Sequence, residues 1–334
     1  MQDIPLVRAR YVHAFASVLD RIGAPTRMLL DRAGLSSQVL EQDETIIPAH
    51  QAWVFIGSAA SKEGIDDFGL QAGEHSIDAY GEFSRRLLQV PNLSGALEKF
   101  CRLARHEYSS ADFYVTRNQD RVCFCRGPID GDPVEKKHVE LVVLKMMIAT
   151  VRLVAGPGWR PREIRLQTGD RRGVEEHPDF SSSDLRFGNP TTTFEIPSFL
   201  LTQRMPPTST PPSSRDYERL EPDIINALRH AIALLPTGRD WNMNCVAEAV
   251  GMRPRTLQRS LSQADTTFSA LVEDVRMSTA MSMLADTSIT VRDIAMQLRY
   301  ADQANFTRAF RRWTGVSPQE YRRQRSTDRP DKTA

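Results

Sequence analysis

Seven arginines fall between Arg299 and Arg325, against two acids, Asp302 and Glu320. A guanidinium carries a permanent positive charge and a planar fork of N–H donors, so this density suits a surface that meets phosphate groups. The run that holds most of them reads TVRDIAMQLRYADQANFTRAFRRWTGVSPQEYRR, from Thr290 to Arg323. Val291, Ile294, Ala295 and Leu298 fall at i, i+3, i+4 and i+7 and predict one amphipathic helix; Phe306, Ala309, Phe310 and Trp313 repeat the spacing and predict a second. Between them stand Arg299, Tyr300, Ala301 and Asp302, the last a good N-cap because its carboxylate can accept from free backbone N–H groups. Two helices locked by so short a turn, with arginine on the outer face of the second, form a helix-turn-helix suited to gripping DNA.

The whole chain has 334 residues, room for two domains with real cores. Its 40% apolar and 25% charged residues are those of an ordinary soluble globular protein, and a net charge of +1 shows that the basicity is local. The N-terminus MQDIPLVRAR lacks the apolar core of a signal peptide, and the most apolar stretch, Val139 to Ala155, is interrupted by Glu140, Lys145 and Arg152. A cytoplasmic protein that does not enter a membrane is expected. Four cysteines, Cys101, Cys123, Cys125 and Cys245, suit a reducing compartment. Cys123 and Cys125 share a strand face, but no further Cys or His stands at ligand spacing nearby, so neither a metal site nor a cofactor is expected.

Short helices are predicted over the first hundred residues: a stripe Tyr11, Phe15, Val18, Leu19 and Ile22 ended by Gly23, then segments around Thr26 to Ala33, Pro48 to Ala60, Glu82 to Leu88 and Leu93 to Glu107. DFYVTRNQDRVCFCR alternates on both sides of Asn118, Gln119 and Asp120, the pattern of a β-hairpin. From Pro133 to Val154 runs a long helix, apolar on most of its circumference, with His138, Lys145 and Arg152 as its polar stripe; it must be covered on several sides. Short strands are expected at Glu163 to Thr168 and Thr192 to Ile196. Then the composition breaks into TQRMPPTSTPPSSR, the signature of an extended linker.

Beyond it the chain is helical and contains a repeat. Met243, Val246, Ala247 and Val250 copy the stripe that begins at Val291, and Leu257, Arg259 and Leu261 correspond to Phe306, Arg308 and Phe310. Two helix-turn-helix units are therefore expected. A helix carrying Phe268, Leu271, Val272, Val275, Ala280 and Leu284 would hold their separation fixed. The expected fold is an α+β domain over 1–201, a Pro/Ser/Thr-rich linker over 202–215, an all-α domain with two helix-turn-helix units joined by a long helix over 216–325, and a disordered tail over 326–334.

The run IAMQLRYADQANFTRAFRRWTGVSPQEYRR resembles the C-terminal signature of the AraC/XylS family of bacterial transcription regulators, and GMRPRTLQRSL resembles the first recognition helix of that family. The likeness covers about a hundred residues, by the order of its two units, their connector and the closing GVSP-x-x-YR. The N-terminal half, through helix order and GEFSRRLLQVPNLSGALEKF, resembles the sensing domain of the ornithine-utilisation type. The resemblance implies two recognition helices entering successive major-groove segments, with Arg255, Gln258 and Arg259 of the first and Gln303, Ala304, Asn305 and Arg308 of the second facing base edges. Arginine can pair with guanine O6 and N7, Gln and Asn with adenine N6 and N7, and the Ala304 methyl can meet a thymine methyl. Thr307, Arg311 and Arg312 suit phosphate oxygens. Phe306, Phe310, Trp313 and Tyr321 read as core, and Arg322, Arg323 and Arg325 as a solvated basic tail.

Two places depart from the family pattern. Arg299 stands where glycine is usual, as Gly251 still does in the first unit. A left-handed residue with a Cβ costs roughly 1 kcal/mol or more, so Arg299 either accepts strain, which a phosphate contact could offset, or bends the turn differently; Arg299→Gly is expected to raise thermal stability. Arg253 and Pro254 replace a serine cap, which weakens the cap while Pro remains tolerated at the first helical position.

An enzyme is the main rival class, but the chain holds no G-x-S-x-G elbow, phosphate-binding glycine loop, H-E-x-x-H or Cys-x-x-Cys. His75, His106, His138 and Glu140 read as satisfied structural residues. The resemblance implies a regulator, by preference an activator placed beside RNA polymerase, with double-stranded DNA and a small-molecule effector as partners and an N-terminal half that senses the effector and helps dimerisation. The apolar helix beside the small sheet could line a pocket, an Arg or Lys holding an effector carboxylate. Repressor and ligand-independent interaction protein are the alternatives.

Overall fold

A computed structural model describes residues 4–74, 80–118, 121–207, 217, 219–220, 223–236, 241–286 and 288–327. The sequence-predicted role of His75, most of the linker and the last residues of the tail lie outside these.

The N-terminal half is α+β. A ribbon of β1 (Leu6–Arg8) and β2 (Ile46–Pro48) pairs antiparallel. Around it stand α1 (Arg10–Arg21), α2 (Thr26–Arg32), α3 (Ala49–Glu63), α4 (Phe68–Ala72), α5 (Glu82–Leu87) and α6 (Leu93–Glu107). All but α4 follow from the spacing of their apolar residues. The expected hairpin is present as β3 (Phe113–Asn118) and β4 (Arg121–Arg126). With β5 (Glu163–Arg165), β6 (Asp184–Arg186) and β7 (Thr192–Pro197) it forms one sheet in the order β3-β4-β7-β5-β6, in which only β5 and β6 run parallel. β6, three residues long, gave no alternation to read.

At the centre lies α7 (Pro133–Ala155), opened by a capping box in which Asp132 and Glu135 satisfy each other's backbone N–H groups, with Pro133 in the first turn. Its polar stripe does not face water. His138 is 2% exposed and Lys145 9%. Lys145 and Arg152 both pair with Asp179, and Lys137 pairs with Asp170 at 2.9 Å, so the connection after β5 supplies the counter-charges that allow these groups inside. His138 Nδ1 accepts from Gly69 N–H at 3.3 Å, and burial followed by the charge of Lys137 lowers its pKa to about 4, which keeps the ring neutral. α4 presses close on α7: a Cβ built on Gly69 would stand 2.2 Å from the His138 carbonyl oxygen, and one on Gly73 2.7 Å from Lys145 Cβ.

The C-terminal half is helical: α8 (Ile224–Ala233), α9 (Met243–Ala249), α10 (Pro254–Gln263), α11 (Phe268–Leu284), α12 (Val291–Gln297), α13 (Gln303–Thr314) and α14 (Pro318–Thr327). It has two cores. Val246, Ala247, Val250, Leu257 and Leu261 pack with Leu271, Val272 and Val275 of α11, while Ile294, Ala295, Leu298, Phe306 and Phe310 pack with Ala280 and Leu284 from its other end. One helix thus serves as a wall of both units. Ile4 and Leu6 join the first of these cores, so the N-terminal strand packs directly on the first helix-turn-helix. The start of the linker is also anchored: Met205 is buried, and its N–H donates to Pro91 O at 3.2 Å. A composition reading that finds no apolar face in TQRMPP misses the single methionine that docks.

Candidate nucleic-acid interface and effector cavity

The two turns share one backbone device. Gly251 has φ 69° and Arg299 φ 62°, both left-handed, so the second unit keeps the geometry that glycine gives the first. The Arg299 side chain turns inward: Nη2 donates to Pro236 O at 2.8 Å and the guanidinium lies 5.8 Å from the centre of the Trp241 ring. These protein contacts offset the strain. Removing them forfeits a hydrogen bond of about 1 kcal/mol and a cation–π contact of about 0.5–1 kcal/mol, against a relief of roughly 1 kcal/mol. The sign expected from the backbone alone therefore reverses: Arg299→Gly should lower the melting temperature by a few degrees, as scanning calorimetry would read, and a rise would mean that backbone strain dominates.

The second helix of each unit is amphipathic in the manner an interface needs. In α10, Leu257 and Leu261 are buried while Arg255, Gln258 and Arg259 are exposed. Its cap, Arg253, makes no side-chain cap bond, and Pro254 opens the helix. In α13, Phe306 and Phe310 are fully buried, Gln303, Ala304 and Arg308 are exposed, and Asn305 is half-buried. Asp302 caps α13, accepting from Asn305 N–H at 2.6 Å. Asn305 Nδ2 in turn donates to Asp302 at 2.8 Å, and Arg308 Nη2 donates to Asn305 Oδ1 at 2.5 Å, so a relay from the cap holds the arginine in place. Thr307 Oγ1 donates to Gln303 O at 2.8 Å. Arg311 is exposed, whereas Arg312 pairs with Glu273 of α11, which also accepts from Trp313 Nε1 at 2.6 Å.

The closing GVSPQEYRR has a physical reading residue by residue. Gly315 ends α13 at φ 78°, and Ser317 and Glu320 form a reciprocal cap on α14. Tyr321 packs edge-on against Phe310 at 5.4 Å. Arg322 donates to Ile289 O at 2.7 Å and Leu284 O at 3.3 Å, so it ties α14 to the end of α11 and is no part of a solvated tail.

A second site lies in the N-terminal half. An apolar cavity is walled by Tyr11, Phe15, Trp53, Phe113, Val142 and Met146 among others, with Glu107 and Arg126 as its charged lining. Glu107 is 2% exposed, and burial raises its pKa against the opposing pull of Arg10 and Tyr217. It pairs with Arg10 Nε at 3.3 Å, and Tyr217, from the segment leading into the C-terminal half, donates its hydroxyl to Glu107. His106 stacks on the Tyr217 ring at 4.9 Å, its Nδ1 lying 2.7 Å from Tyr217 O. Glu140 accepts from Gln167 and Thr168 N–H and from Thr192 Oγ1, a strap within the fold. Sequence reasoning missed Arg126 and Glu107. The signal for Arg126 was present, since alternation along β4 turns Val122, Phe124 and Arg126 to the same buried face.

A duplicated helix-turn-helix joined by one rigid helix, behind an α+β domain with an internal cavity, defines a two-part transcription regulator. The chain matches the arabinose-binding N-terminal domain of AraC transcription regulators over residues 23–205, and a helix-turn-helix domain over 246–324. It belongs to the AraC family of DNA-binding transcription regulators. It is 24% identical over 329 residues to the regulator VirS of Mycobacterium tuberculosis, covering 95% of this chain and 96% of VirS. It is 39% identical over 90 residues to an uncharacterised HTH-type transcriptional regulator of the same organism, spanning 27% of this chain and a quarter (25%) of that protein. With the ornithine utilization regulator of Pseudomonas aeruginosa it shares 43% identity over 68 residues, 20% of each chain. Among the described residues no helix is long and apolar enough to cross a membrane.

Proposed function

We propose that this chain reads a specific double-stranded DNA sequence in the bacterial cytoplasm and activates transcription under the control of a small molecule held in its N-terminal half. The observation that carries the reading is the exposure of Arg259 on α10 and Arg308 on α13 at matching places in two units that share α11, with exposed Gln258 and Gln303 on the same two helices. α11 has 17 residues, about 25 Å at 1.5 Å per residue, and so spans most of the roughly 34 Å between successive turns of the major groove. Arg255, Gln258, Arg259, Gln303, Ala304 and Arg308 take base edges; Asn305 either reads adenine or orients Arg308. Thr307 and Arg311 take phosphates, and Arg312 joins them by exchanging Glu273 for a phosphate oxygen. RNA polymerase and a second copy of the chain are the proposed protein partners.

The division into 1–201, 202–215 and 216–325 is kept as the functional one. The cavity reaches the DNA-reading half through Glu107, which both lines it and holds Tyr217, so an occupant that shifts Glu107 moves the junction. A gel shift with the chain's own upstream region at 50 and 200 mM salt tests the reading. Specific retardation that weakens steeply with salt is expected, because released counterions drive phosphate binding. No retardation of any fragment would favour an interaction protein, and retardation that lowers transcript levels in vitro would favour a repressor.

A further inference from the structure

We propose that the N-terminal cavity binds a small organic carboxylate with an apolar or aromatic body, anchored by Arg126. This rests on the reading of the N-terminal half as a small-molecule sensor and names the chemistry of that site. Arg126 is the last residue of β4 and is 2% exposed. Its Nη1 donates to Asp112 O at 3.3 Å and Gly127 O at 3.4 Å, both long, and its Nε has no hydrogen-bond partner. Among the described residues no carboxylate forms an ion pair with it; its neighbours are the faces of Phe113 at 4.9 Å and Tyr108 at 5.9 Å. Arg10, buried to a similar degree, is paired with both Glu44 and Glu107. Asp112, Asp130 and Glu140 act on it only from beyond ion-pair distance. A buried cation without a directly paired carboxylate is costly, and a ligand that brings one lowers that cost.

The cavity selects for the rest of the ligand. Phe15, Trp53, Val142, Val143 and Met146 offer apolar contact, and Glu107, the opposing charge, is already taken by Arg10 and Tyr217. A sugar would bring several hydroxyls to a wall with few partners for them. A phosphate would bring further charge and oxygens beyond the pair one guanidinium can bind, to a wall that is mostly apolar. The cavity volume is 30 Å³, room for one or two waters, so the ligand enters by displacing side chains, for which flexible Met146 is suited.

The test uses the full chain in calorimetric titration and thermal-shift assays with benzoate, hexanoate, benzamide, hexanol and L-arabinose. Benzoate or hexanoate should bind and raise the melting temperature, and the neutral pair and the sugar should bind about tenfold to a hundredfold more weakly, the worth of a charge-assisted hydrogen bond. Arg126→Gln should abolish the difference between acid and amide; Arg126→Lys should retain part of it. If Arg126→Gln does not fold, the comparison of benzoate with benzamide on the unaltered chain, and its loss in cavity-filling Val143→Phe, carries the test. Equal binding of acid and neutral isostere overturns the anchor while leaving a small-molecule sensor standing. No binding of any of the five overturns the carboxylate, and with it sensing of these classes.

Discussion

Gly69→Ala should destabilise the N-terminal half by about 3 kcal/mol, at the upper end of the usual cost of overpacking a well-filled contact. The sign is a contest. Gly69 lies inside α4, where alanine is the better helix former by about 1 kcal/mol, so propensity alone would stabilise the variant. The added methyl, however, would stand 2.2 Å from the His138 carbonyl oxygen and 2.9 Å from its carbonyl carbon and Cα. These are backbone atoms of α7, which cannot swing aside as a flexible side chain would. The two helices must part, loosening the Gly69 N–H to His138 Nδ1 bond and the packing of Phe68 against the imidazole. Gly158→Ala is the control, since nothing lies within 4 Å of a Cβ there. Thermal unfolding should show a drop of roughly 6–12 °C for the first variant and a change within about 2 °C for the second. Equal melting temperatures would mean that α4 does not pack on α7 as described.

Arg308→Ala should weaken specific DNA binding about fivefold to a hundredfold, the 1–3 kcal/mol carried by one good arginine–guanine pair, with no loss of folding stability because the side chain is exposed. Asp302 and Asn305 hold the guanidinium ready, so it loses less freedom on binding than a free arginine would. Arg311→Ala should act differently. It should weaken specific and non-specific fragments alike and reduce the slope of log K against log salt by about 1, the mark of one lost phosphate contact. Titrating both variants against cognate and scrambled fragments over a salt series separates the roles. An Arg308→Ala loss equal on both fragments would reassign that residue to phosphate.

The helices and the hairpin were legible because one apolar stripe, repeated at a fixed period, announces both an element and its buried face. α4 was not, since five residues among small neighbours carry no stripe, although Gly69 and Gly73 one turn apart are the small pair that lets helices approach. The polar stripe of α7 was legible but its partners were not, because Asp170 and Asp179 arrive from a connection about thirty positions away. At the surface proposed to read DNA, the side-chain types were readable from the sequence and their exposure from the spacing of the repeat. The inward turn of Arg299 was not, since it depends on Pro236 and Trp241, which lie 63 and 58 positions earlier in the chain.

Hydroxyl-radical footprinting of the full chain on a fragment of its upstream region is the most direct test of a duplicated DNA reader. Two protected segments are expected, about 10 base pairs apart and on one face of the duplex, with Arg255→Ala opening one and Arg308→Ala the other. A single protected segment, or two on opposite faces, would contradict the assignment of both units to the same stretch of major groove.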